Sequence, residues 1–193
     1  MKKALKPACM LGPLPPVLVS CGDMENPNIL TVAWTGIINS EPPMTYVSIR
    51  PSRHSYGIIK KTREFVINLP SSSMARKTDL CGVKSGKDND KFKLCRFTPE
   101  ETEHLSCPAI AECKINIECR VKEIRKLGSH DMFIADIVGV NADESLFDEK
   151  GKIRFSRAHL LSYVHGDYIA PGKKIGSFGY SVKKKKAPPK RKH

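Results

Sequence analysis

The sequence is short of aromatics and holds none of the compact motifs that mark common enzyme sites. Trp34 is its single tryptophan, and aromatic residues make up 7% of 193 positions. No ladder of rings runs through any segment, so no base-stacking platform is expected. No apolar run approaches the roughly 18 residues that a membrane-spanning helix needs. The seven cysteines (9, 21, 81, 95, 107, 113 and 119) form no CxxC pair, which removes zinc-ribbon and thioredoxin-type patterns. There is no GxGxxG after a strand, no Walker loop, no HExxH and no GxSxG. A doubly wound dinucleotide fold is therefore not expected.

Acidic residues are scarce beside basic ones, 20 against 33, giving a formal charge of +13. Much of that excess is local. Seven basic residues lie in 183–193, KKKKAPPKRKH, which leaves +6 on residues 1–182. A like-charge run with two prolines cannot pack, so 181–193 is expected to be a disordered basic tail and 1–180 one domain. Such a tail touches nucleic acid or anionic lipid weakly, through phosphates; a solvating role is the preferred reading. At the other end, Pro7, Gly12, Pro13, Pro15 and Pro16 break the apolar stretch after Lys2–Lys3. A secretion signal is not expected there, and the cytoplasm is the expected compartment. Reduced, mostly buried thiols follow from that compartment; Cys21 and Cys81 border loops and are the candidates for reactivity.

What is present is strand signal. Val17–Cys21 reads as a first strand, Ile29–Gly36 as a nearly continuous apolar second one, and Ile37–Pro43 as a loop. Thr45, Val47 and Ile49 alternate with Tyr46, Ser48 and Arg50, a half-buried strand that Pro51 stops. A polar cluster follows, Arg50, Ser52, Arg53, His54 and Ser55, and then a short helix over Ile58–Ile59 with Lys60, Lys61 and Arg63 at its end. Glu64–Leu69 is the next strand. Two readings fit this stretch: a helix start capped by Ser52 or Ser55 with solvated cations, or a cradle for a phosphate group.

Ser71–Ser73 starts a helix over Met74–Val83, and Ser85–Phe92 is a polar loop in which Lys91 is a candidate anion contact. Lys114–Lys122 alternates, with Ile115, Ile117, Cys119 and Val121 inward and Lys114, Asn116, Glu118, Arg120 and Lys122 outward. It returns through Gly128–Ser129 as Asp131–Val140, a hairpin with His130 at its edge. Six or seven strands with few helices predict a mainly β fold, a β-barrel or sandwich with α insertions.

The succession TVAWTGIINSEPPMTYVSIRPSRHSYGIIKKTREFVINLP, SGKDNDKF and HLLSYVHGDYIAPGKKIG resembles the flavin reductase-like proteins, in particular their flavoredoxin branch, over about residues 10–180. The resemblance implies an FMN-binding split β-barrel, a homodimer with the flavin near the subunit interface. Carried onto this chain, it implies that Asn28, Trp34 and Thr35 lie along the ring or ribityl chain. It also implies that Arg50, Ser52 and Ser55 hold the phosphate, that Lys91 and His130 touch flavin or phosphate, and that Tyr163 packs near the ring. The implied activity is hydride transfer from NAD(P)H to flavin, a flavin reductase; the alternative is an FMN electron carrier with little NAD(P)H activity. On this view Lys91 or a protonated His130 stands near the pyrimidine end of the ring and stabilises reduced flavin.

Overall fold

A computed structural model describes residues 1–182; the expected disordered tail falls almost wholly outside them. The strands are β1 Val17–Cys21, β2 Asn28–Val32, β3 Thr35–Ser40, β4 Pro43–Ile49, β5 Glu64–Asn68, β6 Pro99–Glu100, β7 Ala109–Ile110, β8 Ile115–Lys126, β9 Asp131–Ala142, β10 Ser162–Val164 and β11 Asp167–Ile169. The α-helices are α1 His54–Thr62, α2 Ala75–Val83 and α3 Lys91–Cys95. Seven strands form one antiparallel sheet in the order β2-β1-β5-β8-β9-β4-β3, while β6–β7 and β10–β11 are separate hairpins. The fold is mainly β, as expected. No helix of the described residues is long and apolar enough to cross a membrane.

One feature of the topology dictates the shape. β2 and β3 are the two edges of the seven-stranded sheet, yet Ala33 and Trp34 alone separate them in sequence. Two residues span only about 10 Å from one strand to the next, so the sheet curls until its edges nearly meet: a split barrel. The Ser48 amide donates to the Trp34 carbonyl at 2.9 Å and fastens the seam. The strand predicted over Ile29–Gly36 is therefore two strands, and the loop predicted at Ile37–Pro43 is mostly β3. An apolar run gives no sign of a sharp change of direction within it.

The barrel interior packs Val19, Val47, Ile49, Phe65, Ile67 and Phe133, and α1 is laid against it through Ile59. Tyr56 of α1 meets the Phe133 ring edge-on at 5.3 Å, and its hydroxyl donates to Asp131 Oδ2 at 2.6 Å. That bond ties the start of α1 to the start of β9. Outside the barrel, Met74 just before α2, Cys81 of α2, and Phe92 and Cys95 of α3 cover Leu18 and Ile29. β8 departs from simple alternation: Asn116 and Glu118 are buried along with their neighbours, because loops cover the outer face of its first half. The Glu118 carboxylate accepts the amides of Glu103 and His104 and the Asn141 side-chain amide. Five further cysteines lie buried with Cys21, and Cys9 is exposed. Burial pushes the Cys21 thiol up to about 12 and raises Cys81 as well, so neither is the reactive thiol its loop-border position suggested.

Asn68, fully buried, joins the barrel to its outer layer. Its Nδ2 donates to the Leu18 carbonyl and to Ser20 Oγ, both at 2.9 Å. Its Oδ1 accepts the Ile110 amide and the Asn116 side chain. Asn68→Ala leaves these groups unpaired in a dry interior and is expected to lower stability by roughly 2–4 kcal/mol. Urea unfolding checks this; a loss under about 0.5 kcal/mol would show that the network is replaceable.

Candidate functional site

Where α1 begins, beside the barrel seam, lie two cavities of about 330 and 320 Å3 that share Leu30, Arg50 and Arg53 in their walls. The second is polar. Arg50, Ser52, Arg53, His54, Ser55, Lys84 and Lys91 line it, and no carboxylate does. Among the described residues, none of Arg50, Arg53, Lys84 and Lys91 takes part in an ion pair. Like charges gathered without counter-ions repel one another, so the cluster favours an anion. The start of α1 adds to this. Arg53 is its N-cap residue, with no side-chain cap bond, so the leading amides of the turn carry no side-chain partner. Ser55 sits within the first turn, buried, rather than capping it.

Lys91 differs most from its expected place. It belongs to α3 and not to a surface loop, and it is 2% exposed. Asp90 caps α3 by accepting the Lys93 amide, which turns Lys91 inward. Its ammonium donates to the Ile29 carbonyl at 2.6 Å and the Cys81 carbonyl at 2.8 Å. An ammonium has three donors, so one remains for an occupant of the cavity. Burial pulls the Lys91 pKa down; an anion in the cavity opposes that shift.

The first cavity is aromatic. Trp34, His130, Tyr163 and Tyr168 line it, together with Leu30, Val32, Asp79 and Val83 among others. Trp34, at the seam and 40% exposed, holds its ring nearly parallel to His130, 9° apart with centroids separated by 6.3 Å. The β10–β11 hairpin supplies another part of the wall, its Tyr163 and Tyr168 rings 5.5 Å apart. That hairpin is pinned by paired 2.9 Å backbone bonds between Leu14 and Tyr163. Burial, and then the Asp79 carboxylate, push Tyr168 up to about 12, so it stays a phenol at neutral pH.

Of the sequence-predicted residues, Arg50, Ser52, Ser55 and Lys91 gather at the polar cavity, and Trp34, His130 and Tyr163 at the aromatic one. Asn28 and Thr35 line neither. Thr35 spends its hydroxyl on the Tyr46 carbonyl at 2.6 Å, fastening β3 to β4. Asn28 donates to Ser55 Oγ at 2.6 Å, which puts it beneath the polar cavity and not along the aromatic one. Sequence reasoning missed Lys84 and Tyr168 as wall residues and left Arg53 as an unassigned member of the cluster. The Tyr163–Tyr168 pairing across the turn at Gly166 was the available signal for the hairpin wall.

His130 is expected to be neutral. Burial, then Arg50 and Arg53, lower its pKa. Below the ordinary value near 6.5 the unfolded chain takes up a proton that folded His130 refuses. This group therefore subtracts stability as pH falls through that range. In the ligand-free protein its NMR titration should fall below 6.5, and a midpoint above 6.5 would contradict this environment.

Residues 11–169 match the model of the flavin reductase like domain. Among solved structures, flavoredoxin of Desulfovibrio vulgaris (Miyazaki F) superposes with TM-score 0.88 at 31% identity, covering 95% of this chain and 100% of that one. Flavoredoxin from Methanosarcina acetivorans gives TM-score 0.85 at 27% identity, with the same coverage. The FMN reductase (NADH) RutF of Enterobacter cloacae is 24% identical over 103 residues, 53% of this chain and 60% of that protein. With the split barrel, the anion cradle and the aromatic cavity all in place, the chain belongs to the flavin reductase-like domain family.

Proposed function

We propose that the protein binds FMN non-covalently and is an NAD(P)H-dependent flavin reductase. The carrying observation is the junction of the two cavities at Leu30, Arg50 and Arg53. A planar aromatic head and an anionic tail joined by a flexible linker suit such a pair of compartments. The residues fit the group. Arg50, Arg53 and Lys91 supply charge-assisted donors and Ser52 and Ser55 hydroxyls, all of which a phosphate accepts. Trp34, His130 and Tyr163 supply flat apolar surface for a ring.

When bound, the flavin supplies the redox chemistry, taking hydride from a nicotinamide and passing electrons on. The chain's own residues bind and orient. Lys91 lines the polar cavity with Ser52 and Ser55 and not the aromatic one, so its charge serves affinity. On this reading Lys91 grips the tail and not the ring, and neutral His130 offers the ring a surface and not a charge.

A second reading, an FMN electron carrier, is favoured by the likeness to the two flavoredoxins; the NADH-dependent name of RutF favours the first. A homodimer is part of the proposal. Among the described residues the outer edge of β3 is unpaired, and Ile37 and Ile38 are exposed along it, Ile37 by 86%; such an edge invites pairing. Sedimentation should give twice the 21.5 kDa chain mass, and Ile37→Lys should shift the protein toward monomer; a wild-type monomer would overturn this part.

Purified protein mixed with FMN should show a bound-flavin absorbance spectrum, and anaerobic NADH or NADPH should bleach it within seconds. A bound flavin that neither nucleotide bleaches would favour the carrier. Lys91→Met should weaken FMN binding by about tenfold or more while leaving the midpoint potential of the flavin that still binds unchanged. A potential that moves with unaltered affinity would return Lys91 to the ring.

A further inference from the structure

Below the anion cradle lies a small buried polar group that the binding residues leave unexplained. Cys21 and Asn28 face each other in the β1–β2 register, and Ser55 of α1 stands over them. All three are buried, at 0%, 5% and 2% exposure. The Asn28 amide nitrogen donates to Ser55 Oγ at 2.6 Å. On its other side the Asn28 Oδ1 lies against Gly86, so close that a Cβ there would come within 2.0 Å of it. The 85–86 loop thus closes over Asn28 and holds its amide in place; glycine is required for that approach.

A hydroxyl has one proton to give and two lone pairs. With one lone pair occupied by Asn28, Ser55 keeps one lone pair and its proton, and of these only the proton serves an anion in the cavity. Inside the protein the alternative acceptor at hand is the Cys21 sulfur, which also bears on Ser55 and Asn28. Sulfur is a weak acceptor, and a phosphate oxygen is a far stronger, charge-assisted one.

We propose that Asn28 is a positioning residue: it fixes the Ser55 hydroxyl as a donor into the cavity and thereby selects a phosphorylated flavin over one without phosphate. The proposal rests on the flavin reading above. Asn28 lines neither cavity; it acts through Ser55, and Cys21 is the apolar, weakly accepting floor that leaves the proton available.

The test is a double-mutant cycle read with two ligands, FMN and riboflavin. Ser55→Ala and Asn28→Ala should each weaken FMN binding about tenfold. The double variant should be no weaker than Ser55→Ala alone. Riboflavin affinity should stay within about twofold throughout, a pattern that loosened packing would not produce. If Asn28→Ala fails to fold, Asn28→Asp keeps the shape while its carboxylate takes the Ser55 proton, and FMN affinity should fall further than in Ser55→Ala. Full additivity of the two alanine variants would overturn the proposal, as would equal losses for FMN and riboflavin. A wild-type protein that binds riboflavin but gains nothing from phosphate overturns it too, while leaving flavin binding intact. One that binds neither removes the flavin reading itself.

Discussion

Two residues, Ala33 and Trp34, carry the chain from one edge of a seven-stranded sheet to the other, and the remaining geometry follows from that short crossing. The sheet has to curl, its interior fills with Val47, Phe65 and Phe133, and Trp34 is left at the seam. A tryptophan held there cannot retreat into the core, so it forms a wall. The same closure brings Arg50, at the end of β4, and the start of α1 next to β2. The Tyr56–Asp131 bond then sets α1 against β9 and so against His130. Sheet topology, more than any individual contact, brings the aromatic and cationic compartments together.

The second constraint is electrostatic. Four cations line a cavity without a carboxylate, and one of them, Lys91, is buried on two carbonyl oxygens. Such an arrangement is held by the surrounding fold and not by its own interactions. An anion relieves it. Stability given up in the free protein would be recovered on binding an anion, which is how a site comes to prefer charged over uncharged forms of the same ligand.

The fold class and most strand positions were legible in the sequence, because alternation in β4 and β8 and the continuous apolar runs of β1 and β5 reflect burial directly. The anion cradle was legible as well: Arg50, Ser52 and Ser55 are close in sequence, so local spacing carries the signal. Long-range placement was hidden. Nothing in DNDKF says that Asp90 caps a helix and turns Lys91 inward, and no local pattern reveals that Asn28 meets Ser55 across 27 residues. Outward positions of β8 read as solvated because alternation assumes one open face, whereas loops cover Asn116 and Glu118. The break at Ala33–Trp34 was invisible because apolar residues continue through it. The family resemblance added the ring and its partners, which no spacing in this chain could supply; of the residues it set along the ring or ribityl chain, Trp34 lines the aromatic cavity, while Asn28 and Thr35 line neither cavity.

The phosphorus NMR signal of FMN bound to the intact protein probes the cradle most directly. A free phosphomonoester takes up its second proton near pH 6. Surrounded by Arg50, Arg53, Lys84 and Lys91, the bound phosphate should remain a dianion well below that pH, its shift constant where the free ligand titrates. A bound signal that titrates like free FMN, or the absence of any bound signal, would contradict the cradle.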